Sequence, residues 1–319
     1  MARADLLVDL VRAVRAGADE DVRQVIEAVI ADEEAKHHHV LADRLREALR
    51  ANGRHADMAP VPRDVPPGIQ VRTPQLRFDD LVLPSAVLQN CDELVEEQRR
   101  IELLRAHGLE PRHRLLLLGE PGTGKTTLGE ALAEALLVPI VVLRYEAIIG
   151  SFLGETGTRL ADVFAWARTR RCVLFLDEFD AIAKERGDEH ETGEIKRVVS
   201  SLLMLVDDLP AHVVVVAASN HAELLDRAAG RRFEMTLTLP NPTPESRRLW
   251  WERYLDRLPM NVKASPKTLA AKTPARNFAE LDDLGQDIRR QLVLHAGSDP
   301  SRVVRERIAR WREMHQRRA

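Results

Sequence analysis

The chain has 319 residues, a net charge of −3, 45% hydrophobic and 30% charged residues. That is enough apolar material for two or three compact units, and the balanced charge gives no global attraction to nucleic acid or membrane. Two cysteines in no CxxC pattern exclude a disulfide framework or a cysteine-based metal site and fit a reducing cytoplasm.

Residues 2–51 read as helices. Leu6, Leu7, Leu10, Val11 and Val14 recur at helical spacing, as do Val22, Val25, Ile26, Val29 and Ile30, and then Leu41, Leu45 and Leu49. Three short amphipathic helices can bury these stripes against each other as a small N-terminal bundle. Charges interrupt the first stripe every few residues, so no signal peptide is expected, and no apolar run approaches the ~20 residues of a membrane span. The His37-His38-His39 run reads as solvated polar positions, because consecutive helical side chains diverge. Residues 52–75 hold five prolines and two glycines, which suits a linker or extended arm.

From residue 76 the pattern alternates. Strand-like runs are expected at 114–119, 137–144, 172–180, 212–220 and 234–240, with helical stretches such as 125–136 and 192–207 between them. Strand–helix alternation implies an α/β fold with a parallel sheet covered on both faces, whose ligands bind at the carboxyl ends of the strands. After about residue 243 the chain reads as helical to its end. Seven arginines against Glu306 and Glu313 between Arg302 and Arg318 form either a solvated helix face or a nucleic-acid contact.

Two motifs fall at expected strand ends, and the apolar run 212–220 ends in the same way at Asn220. Residues 119–127, GEPGTGKTT, fit G-x-x-x-x-G-K-[ST] and sit between a strand and a helix. Glu120, Pro121, Gly122, Thr123, Gly124, Lys125, Thr126 and Thr127 are therefore expected to bind nucleotide. Backbone N–H groups and the helix N-terminus would meet the phosphates, Lys125 would reach the β- and γ-phosphates, and Thr126 would ligate Mg²⁺. Residues 173–180, VLFLDEFD, end an apolar run in acids. A charge at Asp177 suits support of Mg²⁺, and Glu178 can polarise the attacking water; a helix N-cap would account for only one of the two. Arg231 and Arg232, adjacent and just before a strand, cannot both serve a core, and guanidinium suits phosphate.

With these motifs the sequence resembles a narrow-sense AAA family ATPase over roughly residues 76–295. The resemblance implies a P-loop αβα sandwich over 76–242, a small helical lid with a basic C-terminal helix over 243–319, and ATP with Mg²⁺ as cofactors. It places Asn220 as the residue that orients the lytic water or contacts the γ-phosphate. Residues 224–242 resemble the family's second region of homology, which makes Arg231 and Arg232 arginine fingers acting on a neighbouring subunit in a homo-oligomeric ring, a hexamer in this family. Asp207 aligns with a family aspartate expected to hold a finger or another basic group across that interface. Residues 277–292 match the family's GADI segment in outline, departing from it at Gln286. Leu81 and Val82 either pack on adenine or belong to the core.

Phe152-Leu153-Gly154 stand where polypeptide-threading members carry an aromatic–hydrophobic–glycine pore loop, and residues 184–197, with His190 in their middle, would form a second, polar one. Phe152 either grips a substrate chain or packs beneath its own helix. The pore reading implies a protein substrate to be threaded, unfolded or disassembled. A loader-like ATPase acting with nucleic acid is the alternative, with the C-terminal arginines as its one candidate contact. The layout also resembles compact bacterial stand-alone AAA ATPases. Some of these are encoded beside a subtilisin-like protease and linked to plasmid or phage conflict, which implies a partner protease and an antiviral defence role. The chain itself carries no GxSxG or HExxH motif.

Overall fold

The computed structural model describes residues 25–26, 28–30, 64–144, 153–179, 201–221, 230–295 and 297–316. The chain divides into two compact units, Met1–Ala59 and Pro60–Ala319. In the first, residues 25–26 and 28–30 are helical, and Val29 and Ile30 are buried. The rest of the expected bundle, including His37–His39, lies outside the described residues.

The second unit is built on a six-stranded sheet: β1 (Ile69–Arg72), β2 (Arg114–Leu118), β3 (Ile140–Arg144), β4 (Cys172–Asp177), β5 (Val213–Ser219) and β6 (Met235–Thr238). The order across the sheet is β1-β3-β4-β5-β2-β6, and every pairing is parallel except β1 with β3. Helices α1 (Ser85–Arg99), α2 (Ile101–Ala106), α3 (Lys125–Ala135) and α4 (Leu153–Arg168) belong to this part of the chain. Residues 201–207 are also helical.

Alternate residues of the central strands point to opposite faces, as the two-residue period requires. Leu116, Val141, Leu174 and Val215 pack with Leu160, Val163 and Phe164 of α4 on one face. Leu115, Val142, Phe175 and Val216 pack with Leu94 of α1 and Leu128 and Leu132 of α3 on the other. Burial on both faces explains why these strands read as unbroken apolar runs instead of alternating ones. Burial also pushes the Cys91 and Cys172 thiols up to about 12, so neither is a nucleophile at neutral pH.

Strand β1 lies inside the stretch read as a linker or arm. Its Ile-Gln-Val-Arg alternation half-buries one side only, and an antiparallel edge strand of four residues between proline-rich flanks leaves little sequence signal. After β6 the chain is helical: α5 (Pro244–Asp256), α6 (Pro266–Lys272), α7 (Phe278–Leu294) and α8 (Pro300–Gln316). They share a separate core of Trp251, Leu281, Leu284, Ile288, Val304 and Trp311. Gly285 lets the aromatic rings of Trp250 and Tyr254 close on α7, since a Cβ there would lie 2.9 Å from each. The GADI-like residues therefore serve packing in the middle of a helix. On α8, exposed Arg302 pairs with Glu306 and exposed Arg305 with Asp299, while half-buried Arg307 pairs with Asp287 of α7. Among the described residues no helix is long and apolar enough to cross a membrane.

Candidate functional site

Parallel strands β4, β5 and β2 lie side by side, so their carboxyl ends meet at one edge of the sheet. That register brings Asp177, Asn220 and the loop that begins at Gly119 together, although they come from three separate motifs. Leu118 pairs with Ser219 and Leu176 with Ala217, which sets Asn220 beside the loop.

The loop has the local geometry that its glycines allow. Gly119 has φ +153°, and a Cβ there would come 2.5 Å from the Leu239 carbonyl oxygen, so a side chain cannot be accommodated. Gly124 caps α3 in the left-handed region at φ +95°, with nothing within 4 Å of its Cβ position. The surface above it is open, at the helix N-terminus where unpaired N–H groups favour an anion. Thr123 is buried and its Oγ1 donates to the Glu120 carbonyl at 2.8 Å, while the Glu120 carboxylate accepts from Asn241 at 2.7 Å. Pro121 and Thr126 are exposed, and Thr127 is half-buried.

Lys125 is 8% exposed, and its Nζ donates to the carbonyls of Gly119 (2.6 Å) and Glu120 (3.0 Å) and to Asn220 Oδ1 (2.7 Å). Two residues 95 positions apart are thus in direct contact. Asp177 is half-buried at the tip of β4, and its Oδ1 accepts from the Glu178 N–H at 3.1 Å. Glu178 has φ +52°, a left-handed conformation that costs a non-glycine residue about 1 kcal/mol or more. The kink leaves Glu178 exposed at the strand tip and returns Phe179 to the core, where its ring meets Phe233 edge-on at 5.6 Å.

A cavity of ≈ 270 Å³ adjoins the loop, lined by Val82, Leu83, Pro84, Thr123, Leu239, Leu249 and Phe278 among others. Its walls come from the segment before α1, the end of β6, α5 and the start of α7. Of the pair expected beside adenine, Val82 lines the cavity and Leu81 packs on the core. Leu249 and Phe278 were not singled out in the sequence. Leu249 lies in a helix capped by Thr243 and Phe278 opens one capped by Asn277, and only the docking of α5 and α7 brings them here.

Asp207 is expected from the sequence to hold a finger or another basic group across a subunit boundary. Within its own chain it is ion-paired to one of the two arginines, Arg232, and, at 3.3 Å, to Arg114. Arg231 and Arg232 lie just before β6, whose first residues pair with the start of β2. Strand β2 therefore separates them from the phosphate loop, about 17 Å at ~3.3 Å per residue. Phe152 and residues 184–197 lie outside the described residues. Leu153 and Gly154 are the first residues of α4, so two of the three positions expected in a loop are helical.

The α7 start is tied to the phosphate loop. The N–H groups of Phe278 and Ala279 donate to the Gly122 carbonyl at 3.0 and 3.2 Å, and Asn277 caps the same helix with its side chain against Gly122. A Cβ at Gly122 would lie 2.7 Å from Asn277 Cγ, and the glycine has φ +79°. Gly122→Ala is expected to push α7 off the loop and weaken ATP binding about tenfold, or about 1.4 kcal/mol. A titration with a fluorescent ATP analogue measures this, and adding Asn277→Gly should recover part of the loss.

Comparison with known proteins shows the family. The description of the ATPase family associated with various cellular activities (AAA) matches residues 115–241. An uncharacterised AAA family ATPase of Sinorhizobium fredii is 35% identical over 290 residues, covering 88% of this chain and 87% of that protein. The chain belongs to the AAA family of ATPases. A putative 26S proteasome regulatory subunit homologue of Methanothermobacter marburgensis is 34% identical over 206 residues, and a cell division cycle protein 48 homologue of Archaeoglobus fulgidus is 32% identical over 218. The chain spans 53% of the first of these and 30% of the second.

As an AAA ATPase the protein uses ATP with Mg²⁺, and the residues present suit both. The open, left-handed Gly124 cap, the Lys125 ammonium and the adjoining apolar cavity offer surfaces for phosphates and a base. Among the described residues no three His, Cys, Asp or Glu side chains cluster to hold a metal. Mg²⁺ needs no such cage, because it is held by one or two protein oxygens together with phosphates and water. The Thr126 hydroxyl and the Asp177 carboxylate are hard oxygen donors of that kind.

Proposed function

We propose that this AAA ATPase works as a homo-oligomeric ring, a hexamer, that couples ATP hydrolysis to remodelling, unfolding or disassembly of a protein substrate. The observation that carries the reading is the placement of Arg231 and Arg232 at the end of the sheet opposite their own phosphate loop. Arginines so placed cannot serve the nucleotide of their own chain. They can serve a neighbour's if subunits associate head to tail, an arrangement that closes as a ring. The names of the archaeal relatives, a proteasome regulatory subunit homologue and a cell division cycle protein 48 homologue, favour a protein as substrate.

In this reading each side chain has one task. The loop N–H groups and Lys125 hold phosphate oxygens, for which Lys125 exchanges its present carbonyl acceptors. Thr126 and Asp177 hold Mg²⁺, which supplies charge neutralisation on the phosphates when bound. The Glu178 carboxylate takes the proton of the attacking water. Asn220, next to Lys125, orients that water, and an arginine of the neighbouring subunit meets the charge that develops on the transferred phosphoryl group. The cavity beside Thr123 receives the base.

The pore is assigned to Phe152-Leu153-Gly154. The N-terminal helical domain (1–51) precedes the ATPase domain (76–242) and the lid (243–319), and of the stretch read as a linker (52–75), Ile69–Arg72 join the ATPase sheet as β1. Since the chain has no protease motif, a proteolytic step would belong to a partner protease, in keeping with the resemblance to conflict-associated bacterial ATPases. Phe152→Ala is expected to abolish substrate unfolding with an unchanged melting temperature. A fall of several degrees would instead put the ring in the core. The function is tested by Glu178→Gln protein incubated with ATP and then purified. A ring that retains a specific protein is expected; a monomer in ATP that retains none would overturn the proposal.

A further inference from the structure

The two adjacent arginines before β6 differ in what surrounds them. Arg232 is half-buried, ion-paired with Asp207, and donates to the Leu203 carbonyl at 3.3 Å. Both partners belong to the helical stretch 201–207, and Asp207 is its last helical residue, so the guanidinium sits where a helix C-terminus favours a cation. The pair is part of a larger brace. Asp207 also meets Arg114 at 3.3 Å, Arg114 meets Glu234 at 2.7 Å, and the Glu234 carboxylate accepts the backbone N–H groups of His113 (2.7 Å) and Arg114 (3.0 Å). Burial alone would raise the Glu234 carboxyl, but the N–H of His113 and the Arg114 side chain outweigh it and hold it below the usual carboxylate range. The brace thus ties the helical stretch, the start of β2 and the residues before β6 into one charged cluster.

Arg231 shares none of this. It is exposed, and among the described residues it has no hydrogen-bond or ion-pair partner. The residue that follows the pair, Phe233, is buried against Phe179 and fixes the backbone from the other side. A guanidinium that is free, solvated and mounted on backbone held at Arg232 and Phe233 can swing to an outside anion without breaking any contact. One that neutralises Asp207 cannot leave without exposing that carboxylate to Arg114 alone.

We infer that the two arginines divide the work: Arg231 is the catalytic residue that reaches the neighbouring subunit's nucleotide, and Arg232 is a positioning residue that holds the Arg231 backbone through Asp207. The inference rests on the proposed action of these arginines in trans, and goes beyond it by assigning one role to each.

The test compares single variants of the full chain for turnover in the assembled state, ATP affinity and melting temperature. Arg231→Ala and Arg231→Lys are each expected to lose about 10³-fold or more in kcat. ATP affinity and melting temperature should stay unchanged. Turnover should return when Arg231→Ala subunits are mixed with Glu178→Gln subunits, since each supplies what the other lacks. Arg232→Ala and Asp207→Asn are expected to lower the melting temperature by a similar amount, and the double variant by little more than either. Arg232→Lys, which keeps the ion pair, should retain kcat within about tenfold while Arg231→Lys does not.

A 10³-fold loss for Arg232→Lys at unchanged melting temperature, with Arg231→Ala active, would reverse the assignment and overturn the inference. Equal large losses for the two lysine variants, still rescued in mixed assemblies, would overturn the division and leave action in trans standing. Full turnover with both arginines replaced by alanine, or no rescue on mixing, would overturn the trans reading itself.

Discussion

Glu178→Gln is expected to bind ATP as tightly as the parent chain and to hydrolyse it about 10²–10⁴-fold more slowly, the range that general-base catalysis supplies. The side chain is exposed at the tip of β4, one residue past Asp177, and its backbone is held at φ +52°. Glutamine has nearly the same shape and can occupy the same kinked position, so neither the Asp177 hydrogen bond to the Glu178 N–H nor the Phe179 anchor in the core is disturbed. What is lost is the capacity to accept a proton. Steady-state phosphate release against nucleotide titration separates the two effects, and turnover within a few-fold of the parent would remove Glu178 from the reaction.

Lys125→Ala is expected to fail earlier, at binding. Its ammonium is the buried cation nearest the loop, and it holds the carbonyls of Gly119 and Glu120 as well as Asn220. Removing it takes away a charge-assisted contact to phosphate and leaves these oxygens to water, each effect worth about 1–3 kcal/mol. ATP affinity should fall at least about 100-fold, or about 2.7 kcal/mol. Lys125→Arg should not rescue it, because a planar five-donor fork cannot occupy the space of a compact ammonium with the same three acceptors around it. Calorimetric titration with Mg-ATP measures both variants, and near-parental affinity in Lys125→Ala would show that backbone N–H groups alone hold the phosphates.

Much of the candidate nucleotide site was legible because its parts are local. A strand, a turn whose glycines take left-handed conformations, and a helix N-terminus lie within a dozen consecutive residues, and the spacing of Gly119, Gly124 and Lys125 follows from backbone geometry over that distance. The same holds for Asp177 and Glu178 at the end of one apolar strand. Strand β1 was hidden because four residues half-buried on one side carry a weak pattern amid prolines. Leu249 carried no motif, Asn277 and Phe278 head the GADI-like segment without any signal for contact with the loop, and no local pattern shows what lies beside Asp207. In the folded chain Asp207 has two guanidiniums of its own.

The amino-acid sequence by itself therefore determined the α/β class, the phosphate loop and the two acids, all of which depend on interactions between residues close along the chain. The tertiary structure alone decided which distant residues meet. Strand order and parallel register put Asn220 against Lys125 and carried Arg231 and Arg232 to the far end of β2. The docking of α7 on Gly122 joined the lid to the loop, and the brace at Asp207 made two neighbouring arginines unequal. Those outcomes depend on long-range packing across the sheet, which no short window of residues encodes.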